Sequence, residues 1–250
     1  MKHFSIVTIH KDDLDGLIAT CNSVDCQTEK DLEHIVIDSS EEGYIKEIST
    51  HDKRKIFFTP ANGIYDALNL GSEKSKGRYI IYMNAGDIFA SKDILKEVKR
   101  LCSKKKPDFL YGDSYNDYGG ERVFKKAKDH NKLFWGMFTH HQSMFFLRDK
   151  LISNLISYST KYDVAGDYDF VCKFINSSEN LYYYSKPISV FKIGGYSHKK
   201  WWQGLNQQFL IKIKYFNIPS SVFWYFIQLG KNLVARMFPW IYKLRLKLKK

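Results

Sequence analysis

Acidic residues are missing from the last part of the chain. All 27 Asp and Glu lie within residues 1–179, together with 26 Lys and Arg, whereas residues 180–250 hold 13 Lys and Arg and no acid. The net charge of +12 is therefore a property of the C-terminal segment. A basic nucleic-acid-binding domain would be expected to spread its charge over the fold, so we expect no nucleic acid partner.

Cysteine is scarce, and the four cysteines form no CxxC pair, which argues against a disulfide framework and a cysteine metal site. The N-terminus has only about six residues of apolar alternation before charges appear, too few for a signal peptide. We therefore expect a cytoplasmic protein. The longest uncharged run near the C-terminus, Phe216–Gly230, contains Asn217, Pro219 and Gln228. It falls short of the roughly 20 apolar residues that a transmembrane helix needs.

Two nucleotide-binding fingerprints are also missing. No GxGxxG follows the first apolar run, and no GxxxxGK[ST] occurs in the chain. A nucleotide bound by this protein must therefore be held by a different arrangement.

Apolar runs alternate with helix-like segments over the first hundred residues. The predicted strands are HFSIVTI, EHIVID, KIFFT and RYIIYMN, and the predicted helices are DLDGLIATCNSV, GIYDALNLGSEKS and SKDILKEVKRLC. This alternation predicts an α/β fold with a mostly parallel sheet and flanking helices. Ligands of such sheets bind beyond the carboxyl ends of the strands, where polar residues follow each run here.

The fourth apolar run ends at Asn84-Ala85-Gly86-Asp87. Asp87, with Asn84 beside it, offers hard oxygen ligands that suit Mg²⁺ or Mn²⁺ bound to a diphosphate. Asn, Gly and Asp are also common turn formers, so this motif taken alone favours a plain turn.

An ordered series of motifs precedes and includes this turn: Asn62-Gly63, Asn69-Leu70-Gly71, Ser75-Lys76-Gly77 and Asn84–Asp87. Together they resemble the nucleotide-sugar-binding half of inverting family 2 glycosyltransferases, which have the GT-A fold. Matches at Asp38-Ser39-Ser40, THHQSMFF, AGDYDF and GGYS extend the resemblance over about residues 3–200. The resemblance implies a GT-A domain over residues 1–200, a C-terminal extension over 201–250, and a role in bacterial O-antigen, capsule or colanic-acid-type polysaccharide synthesis.

The resemblance also implies the residues of a site. Contacts to a nucleotide-sugar donor, with UDP favoured, are expected from Thr8, His10, Asp38, Asn62, Gly63, Asp66, Asn84, Ala85, Asp113 and His141. Mn²⁺ or Mg²⁺ is expected at Asp87, with His198 as a further metal ligand or phosphate contact and Lys199 and Lys200 as alternatives. Asn84 and Gly86 stand where many family members carry acids, and Asp66 stands where many carry Arg. These departures leave one carboxylate for the metal.

Asp167 in AGDYDF is the expected general base, because a carboxylate close to a sugar hydroxyl can accept its proton during attack on the anomeric carbon. If the segment is helical, Asp169 points away from Asp167 and supports the helix instead. For the adjacent His140 and His141, the spacing predicts that only one faces the site.

The acid-free tail is rich in aromatic residues. Val222, Phe226, Leu229 and Leu233 fall on one helical stripe, which predicts a helix that lies in a membrane interface or packs on the domain. Rings among lysines suit an anionic membrane surface, so we expect peripheral attachment to the cytosolic face of the inner membrane and a polyprenyl-diphosphate-linked saccharide acceptor. The alternatives are a sugar nucleotidyltransferase and a non-catalytic membrane-binding module.

Overall fold

The computed structural model describes residues 2–40, 53–60, 62–194 and 200–237. Within these residues, nine strands form one sheet. Their bounds are β1 Phe4–His10, β2 Leu32–Asp38, β3 Arg54–Phe58, β4 Tyr79–Tyr82, β5 Ile88–Phe89, β6 Phe109–Asp117, β7 Arg122–Lys125, β8 Met144–Leu147 and β9 Leu181–Lys192.

Helices flank the sheet. They are α1 Leu14–Asp25, α2 Ile64–Lys74, α3 Ile94–Lys105, α4 Arg148–Ser153, α5 Gly166–Asn176, α6 Trp201–Tyr215 and α7 Ile218–Met237, with short 3₁₀ helices at His130–Trp135 and His141–Ser143. The three predicted helices are confirmed as α1, α2 and α3, each of which buries one apolar face, and the AGDYDF segment is helical as α5.

The strand order is β3-β2-β1-β4-β8-β6-β9-β5, with β7 paired to β6. The first four strands are parallel, whereas β8 runs antiparallel to both β4 and β6. Strands β6 and β9 are parallel to each other, and β5 and β7 add antiparallel edges. The predicted α/β class with flanking helices is confirmed. The sheet is mixed rather than mostly parallel, because β8, from the second half of the chain, lies between β4 and β6 and runs antiparallel to both.

Side chains of alternate residues pack on opposite faces of the sheet. Ile80 and Tyr82 of β4 belong to a core that includes residues of α2 and α5, while Tyr79 and Ile81 belong to a core that includes residues of α3. All four are buried. Both faces of the central strands are therefore covered, and the open edge at the strand ends is left for a ligand.

Helices α6 and α7 form the described part of the C-terminal extension. Ile211 and Lys212 of α6 and Trp224 of α7 are buried against the rest of the fold. Three members of the predicted apolar stripe of α7 are exposed, namely Val222, Phe226 and Leu233 at 37%, 64% and 48%, and Phe223 beside them is 63% exposed. Among the helices of the described ranges, none has the length and apolar content to cross a bilayer. His198, Lys199 and residues 238–250 lie outside the described residues.

Candidate active site

A cavity of about 880 Å³ opens at the carboxyl ends of β1 and β4. Its other walls come from the start of α2, the segment 137–142, the start of α5 and the end of β9. Nine of the residues proposed from the sequence line it: His10, Asn62, Gly63, Asp66, Asn84, Ala85, Asp87, His141 and Asp167. Residues from distant parts of the sequence are thus brought to one place.

The last residues of β1 and β2 are joined at one end of the cavity. His10 Nδ1 lies 3.1 Å from Asp38 Oδ1, and the Asp13 backbone N–H donates to His10 Nε2 at 3.0 Å. The latter bond places the His10 proton on Nδ1, so that the ring donates to Asp38. Asp38 itself lies behind His10 rather than on the cavity wall. Its buried Oδ2 has no hydrogen-bond partner among the described residues.

The turn after β4 forms the floor. Ala85 N–H donates to the Ile9 carbonyl at 3.1 Å, and the Thr20 hydroxyl donates to the Asp87 carbonyl at 2.8 Å. The Asp87 carboxylate accepts the Lys192 backbone N–H at 3.0 Å. Burial raises the pKa of Asp87 to about 7, against the lowering effect of its hydrogen bonds to Lys192 and Gln142. A nearby cation would stabilise its ionised form.

The start of α2 forms another wall of the cavity. Gly63 has a φ of 133°, a conformation that side-chain-bearing residues rarely adopt, and it caps the helix before Asp66 in the first turn. Asp66 is half-buried, so an acid rather than a cation faces the cavity from this helix.

Asp167 is the second residue of α5 and also lines the cavity. Its Oδ1 accepts the Tyr168 backbone N–H at 2.8 Å. Burial raises the pKa of Asp167 to about 6, which suits a carboxylate that must accept a proton near neutral pH.

Side chains from other helices hold the start of α5. The Tyr65 hydroxyl of α2 accepts the Gly166 N–H at 2.9 Å. Gln207 Oε1 of α6 accepts the N–H groups of Val164 and Ala165 at 2.9 and 3.0 Å. These bonds satisfy backbone donors that the start of a helix leaves free. The C-terminal extension therefore contributes to the position of Asp167.

The two adjacent histidines have different surroundings. His141 Nε2 lies 3.0 Å from the Tyr158 hydroxyl, and its ring stacks on Tyr82. His140 stacks on Phe191 with ring centroids 4.1 Å apart. Burial lowers the pKa of each histidine to about 3, so both rings are neutral. Both line the cavity, contrary to the expectation that only one would do so.

Thr8 and Asp113 do not line the cavity. Thr8 Oγ1 lies 2.9 Å from His34 Nε2 within the sheet, and Asp113 Oδ1 accepts from the Ala127 N–H and the Tyr183 hydroxyl, both at 2.7 Å. The geometry lends no support to their expected ligand contacts, because both side chains point into the protein. Asp169 is buried and bound to Lys173 at 2.7 Å and to Lys214 at 3.2 Å, in agreement with the supporting role expected for it.

The metal hypothesis depends on few ligands. Across the described ranges, no three His, Cys, Asp or Glu side chains come close enough to hold an ion. Asp87 offers one carboxylate at the cavity floor. A hard cation fits here only if diphosphate oxygens of a ligand complete its coordination.

Several cavity residues were missed by sequence reasoning, namely Asp13, Lys125, Tyr162, Asp163, Phe191 and Lys192. Asp13 caps α1 through a bond from the Gly16 N–H at 3.0 Å, and an Asp that follows a strand and precedes a helix was a signal for it. Lys125 and Phe191 had no local signal, because their strands meet the cavity only through the order of the sheet.

A family model described as glycosyl transferase family 2 matches residues 5–165. The chain belongs to this family. Among curated relatives of this family 2 protein is an uncharacterized glycosyltransferase of Mycobacterium tuberculosis, 28% identical over 177 residues, which covers 68% of this chain and 67% of that protein. A PGL/p-HBAD biosynthesis glycosyltransferase of Mycobacterium bovis is 31% identical over 114 residues, covering 43% of this chain and 42% of that protein.

Solved structures share the fold of this family 2 chain. Staphylococcus aureus TarS 1–349 with UDP-GlcNAc aligns with a TM-score of 0.70 at 15% identity, over 88% of this chain and 69% of that chain. In a longer TarS structure the match spans only 41% of the neighbour. A mannosyltransferase of Pyrobaculum calidifontis with GDP-Man and Mn²⁺ aligns with a TM-score of 0.65 at 16% identity, over 85% and 64% of the two chains. These similarities show a GT-A-like fold.

Proposed function

We propose that this glycosyltransferase moves a sugar, with inversion, from a nucleoside diphosphate donor to a saccharide hydroxyl. The observation that carries the proposal is that one cavity is lined by His10 and Asp87, which follow strands of the sheet, and by Asp167 at the start of α5. An inverting transfer needs a base and a group that offsets diphosphate charge around one anomeric carbon, and this cavity holds a candidate for each.

The nucleoside would lie at the end lined by His10, Asn62 and Asp66. Asp38, which lies behind His10 and off the cavity wall, would orient the His10 ring through Oδ1 rather than contact the nucleoside itself. UDP is favoured because TarS, which shares the fold, was solved with UDP-GlcNAc.

The diphosphate would lie over the turn that ends at Asp87. Asp87 would hold Mn²⁺ or Mg²⁺ together with diphosphate oxygens, and His198, outside the described residues, is a candidate further ligand. When bound, such an ion offsets the negative charge of the departing diphosphate. The mannosyltransferase from Pyrobaculum, solved with Mn²⁺, supports a divalent metal.

Asp167 would act as the general base. Its carboxylate accepts the proton of the acceptor hydroxyl while the hydroxyl oxygen forms a bond to the anomeric carbon and the bond from that carbon to the phosphate oxygen breaks. The electron pair of the broken bond leaves with the nucleoside diphosphate. Burial favours this role because water stabilises the ionised carboxylate less there than at the surface, so the carboxylate accepts a proton more readily.

The acceptor is proposed to be a saccharide on a polyprenyl diphosphate, used in surface polysaccharide synthesis. The outward-facing apolar stripe of α7, beside an acid-free segment, supports attachment to an anionic membrane on the cytosolic face. Such attachment would hold the cavity near acceptors that lie in the bilayer.

Nucleoside diphosphate release tests the reaction. Purified protein is incubated with UDP-, GDP- and dTDP-sugars and Mn²⁺ or Mg²⁺, alongside Asp167→Asn, Asp87→Ala and the control Asp149→Asn, whose side chain is exposed on α4. We expect release from one donor, lower by about 10²- to 10⁴-fold in Asp167→Asn and unchanged in the control. Full turnover in Asp167→Asn would rule out its role as base. A lack of UDP binding by calorimetry, together with no turnover on any donor, would overturn the function.

Vesicle sedimentation tests the membrane surface. The paired change Phe223→Ser and Phe226→Ser should weaken sedimentation with phosphatidylglycerol vesicles about tenfold, because two exposed rings are removed. Leu155→Ser is the matched control, since Leu155 is an apolar side chain 89% exposed elsewhere in the fold. Equal sedimentation of all three proteins would contradict a role for α7.

A sugar nucleotidyltransferase would also use an α/β sheet and a metal. It gives no role to the carboxylate of Asp167, which lines the same cavity as Asp87. Pyrophosphate release from a nucleoside triphosphate and a sugar phosphate would favour this alternative.

A further inference from the structure

A lysine with no carboxylate partner among the described side chains lines the cavity. Three lysines line the cavity within the described residues, Lys11, Lys125 and Lys192. Lys11 is exposed, and Lys192 is 62% exposed with its Nζ 4.0 Å from Asp13 Oδ2. Lys125 is half-buried and, among the described side chains, has no carboxylate within ion-pair distance.

The immediate partner of Lys125 is a neutral group. Its Nζ lies 3.1 Å from Nε2 of His140, which accepts from the ammonium when the ring proton is on Nδ1. The Asn116 side-chain amide, 2.7 Å from the same ring atom, then turns its NH₂ group toward the ring, since two acceptors would repel each other. The ring of His140 is fixed by stacking on Phe191. This arrangement orients the ammonium group but leaves its charge unbalanced, with donors still available.

The burial of an unpaired cation is unfavourable. Burial, with a smaller contribution from Lys128, lowers the pKa of Lys125 to about 8, so that the side chain is still largely protonated at neutral pH. An anionic ligand group would restore the balance and form charge-assisted hydrogen bonds.

Lys125 lies in a different part of the sheet from the residues at the proposed nucleotide end of the cavity. His10 and Asp38 end β1 and β2, whereas Lys125 ends β7, which pairs with β6. Strands β4 and β8 lie between these two parts of the sheet. If the base of the donor lies near His10 and its diphosphate near Asp87, the group beside Lys125 is the transferred sugar or the acceptor, not the base.

We propose that Lys125, oriented by His140, forms a binding subsite for an anionic group, a carboxylate or a phosphate, carried by the transferred sugar or by the acceptor. The inference rests on the proposed function and adds a substrate class to it. An acidic donor sugar and an anionic acceptor would each place a negatively charged group beside Lys125, and the two arms of the experiment distinguish them.

The test uses the full chain with Lys125→Met, Lys125→Arg and the matched control Lys126→Met, whose lysine is exposed on the adjacent residue. In the donor arm, calorimetry compares UDP-glucuronate with UDP-glucose. In the acceptor arm, glucose 1-phosphate is compared with glucose at saturating UDP, so that the diphosphate position is already filled.

We expect the anionic ligand of one arm to bind about tenfold more tightly than its neutral counterpart. That preference should be lost in Lys125→Met, retained in part by Lys125→Arg and unchanged in Lys126→Met. A preference in the donor arm identifies an acidic sugar, and one in the acceptor arm identifies an anionic acceptor.

The inference is overturned if neither arm shows a preference, or if Lys125→Met and Lys126→Met behave alike. UDP binding by the wild-type protein separates the two failures. If UDP binds and no anion preference exists, only the subsite fails. If neither UDP nor any donor binds, the proposed function fails and the subsite fails with it.

Discussion

The wall formed by β1 and β4 is held by main-chain hydrogen bonds, whereas the wall that carries Asp167 is held by side chains from distant helices. Met83 N–H donates to the Val7 carbonyl at 2.8 Å, and Ala85 N–H donates to the Ile9 carbonyl at 3.1 Å. On the other wall, Tyr65 and Gln207 accept the backbone N–H groups at the start of α5. The part of the cavity formed by β1 and β4, here called the sheet wall, is therefore fixed by the backbone of the sheet. The part that carries Asp167, here called the Asp167 wall, depends on single side chains that a substitution can remove.

Lys212 of α6 provides the strongest test of how far the Asp167 wall depends on single side chains. Its ammonium group is buried, donates to the Phe134 carbonyl and the Tyr168 hydroxyl, and lies 4.2 Å from the ring centroid of Trp224. Lys212→Ala should lower the free energy of unfolding by about 3–5 kcal/mol, because it leaves a cavity and unpaired polar groups. Lys212→Met keeps the volume and should cost less, as measured by urea denaturation. Equal losses in both variants would show that the charge, not the volume, holds α6 in place.

Gly77 tests the sheet wall. A Cβ on this residue would lie 2.5 Å from the backbone atoms Phe4 C and Ser5 N, which cannot move without distorting β1. Gly77→Ala should lower the free energy of unfolding by about 3 kcal/mol. Gly230→Ala is the control, since its Cβ would meet open space on α7. If Gly77→Ala unfolds at the wild-type urea concentration, the sheet wall is more adaptable than its main-chain bonds indicate.

Asp167→Asn should change how stability depends on pH. The pKa of Asp167 is raised from its unfolded value to about 6, so its ionisation disfavours the folded state. The favourable contribution of the protonated form is complete below about pH 4 and is lost as the pH rises through about 6. Asn cannot ionise, so the variant should be more stable than wild type by about 3 kcal/mol above pH 7, with no difference near pH 4. Thermal melts at both pH values measure this, and parallel pH profiles would show that Asp167 is not desolvated.

Substitution of Gln207 has the smallest expected effect, and it tests the positioning of Asp167 most directly. Gln207→Met removes the acceptor for the Val164 and Ala165 N–H groups without a large change in volume. We expect kcat to fall about tenfold with KM nearly unchanged, because Asp167 is displaced while the donor end is untouched. Gln208→Met, on the same helix, is the control. A rise in KM at constant kcat would place Gln207 in substrate binding instead.

The fold class and nine of the residues that line the cavity could be predicted from the sequence. Strands β1, β2 and β4 are short apolar runs, and each ends in polar residues where a parallel sheet binds ligands. His10, Asn84 and Asp87 were found in this way, and Asp167 through a family motif. These features are local, because apolar periodicity and turn residues act over a few neighbours in the chain.

Only the tertiary structure decided which polar side chains face the cavity. Thr8 and Asp113 carry suitable groups, but His34 and Tyr183, from neighbouring strands, hold them inside the protein. Lys125 and Gln207 reach the site through the order of the sheet and the packing of α6. The sequence by itself determined the elements and the polar strand ends, because local backbone preferences and hydrophobic burial set them. The partners of each side chain were decided by long-range packing, which no short stretch of sequence encodes.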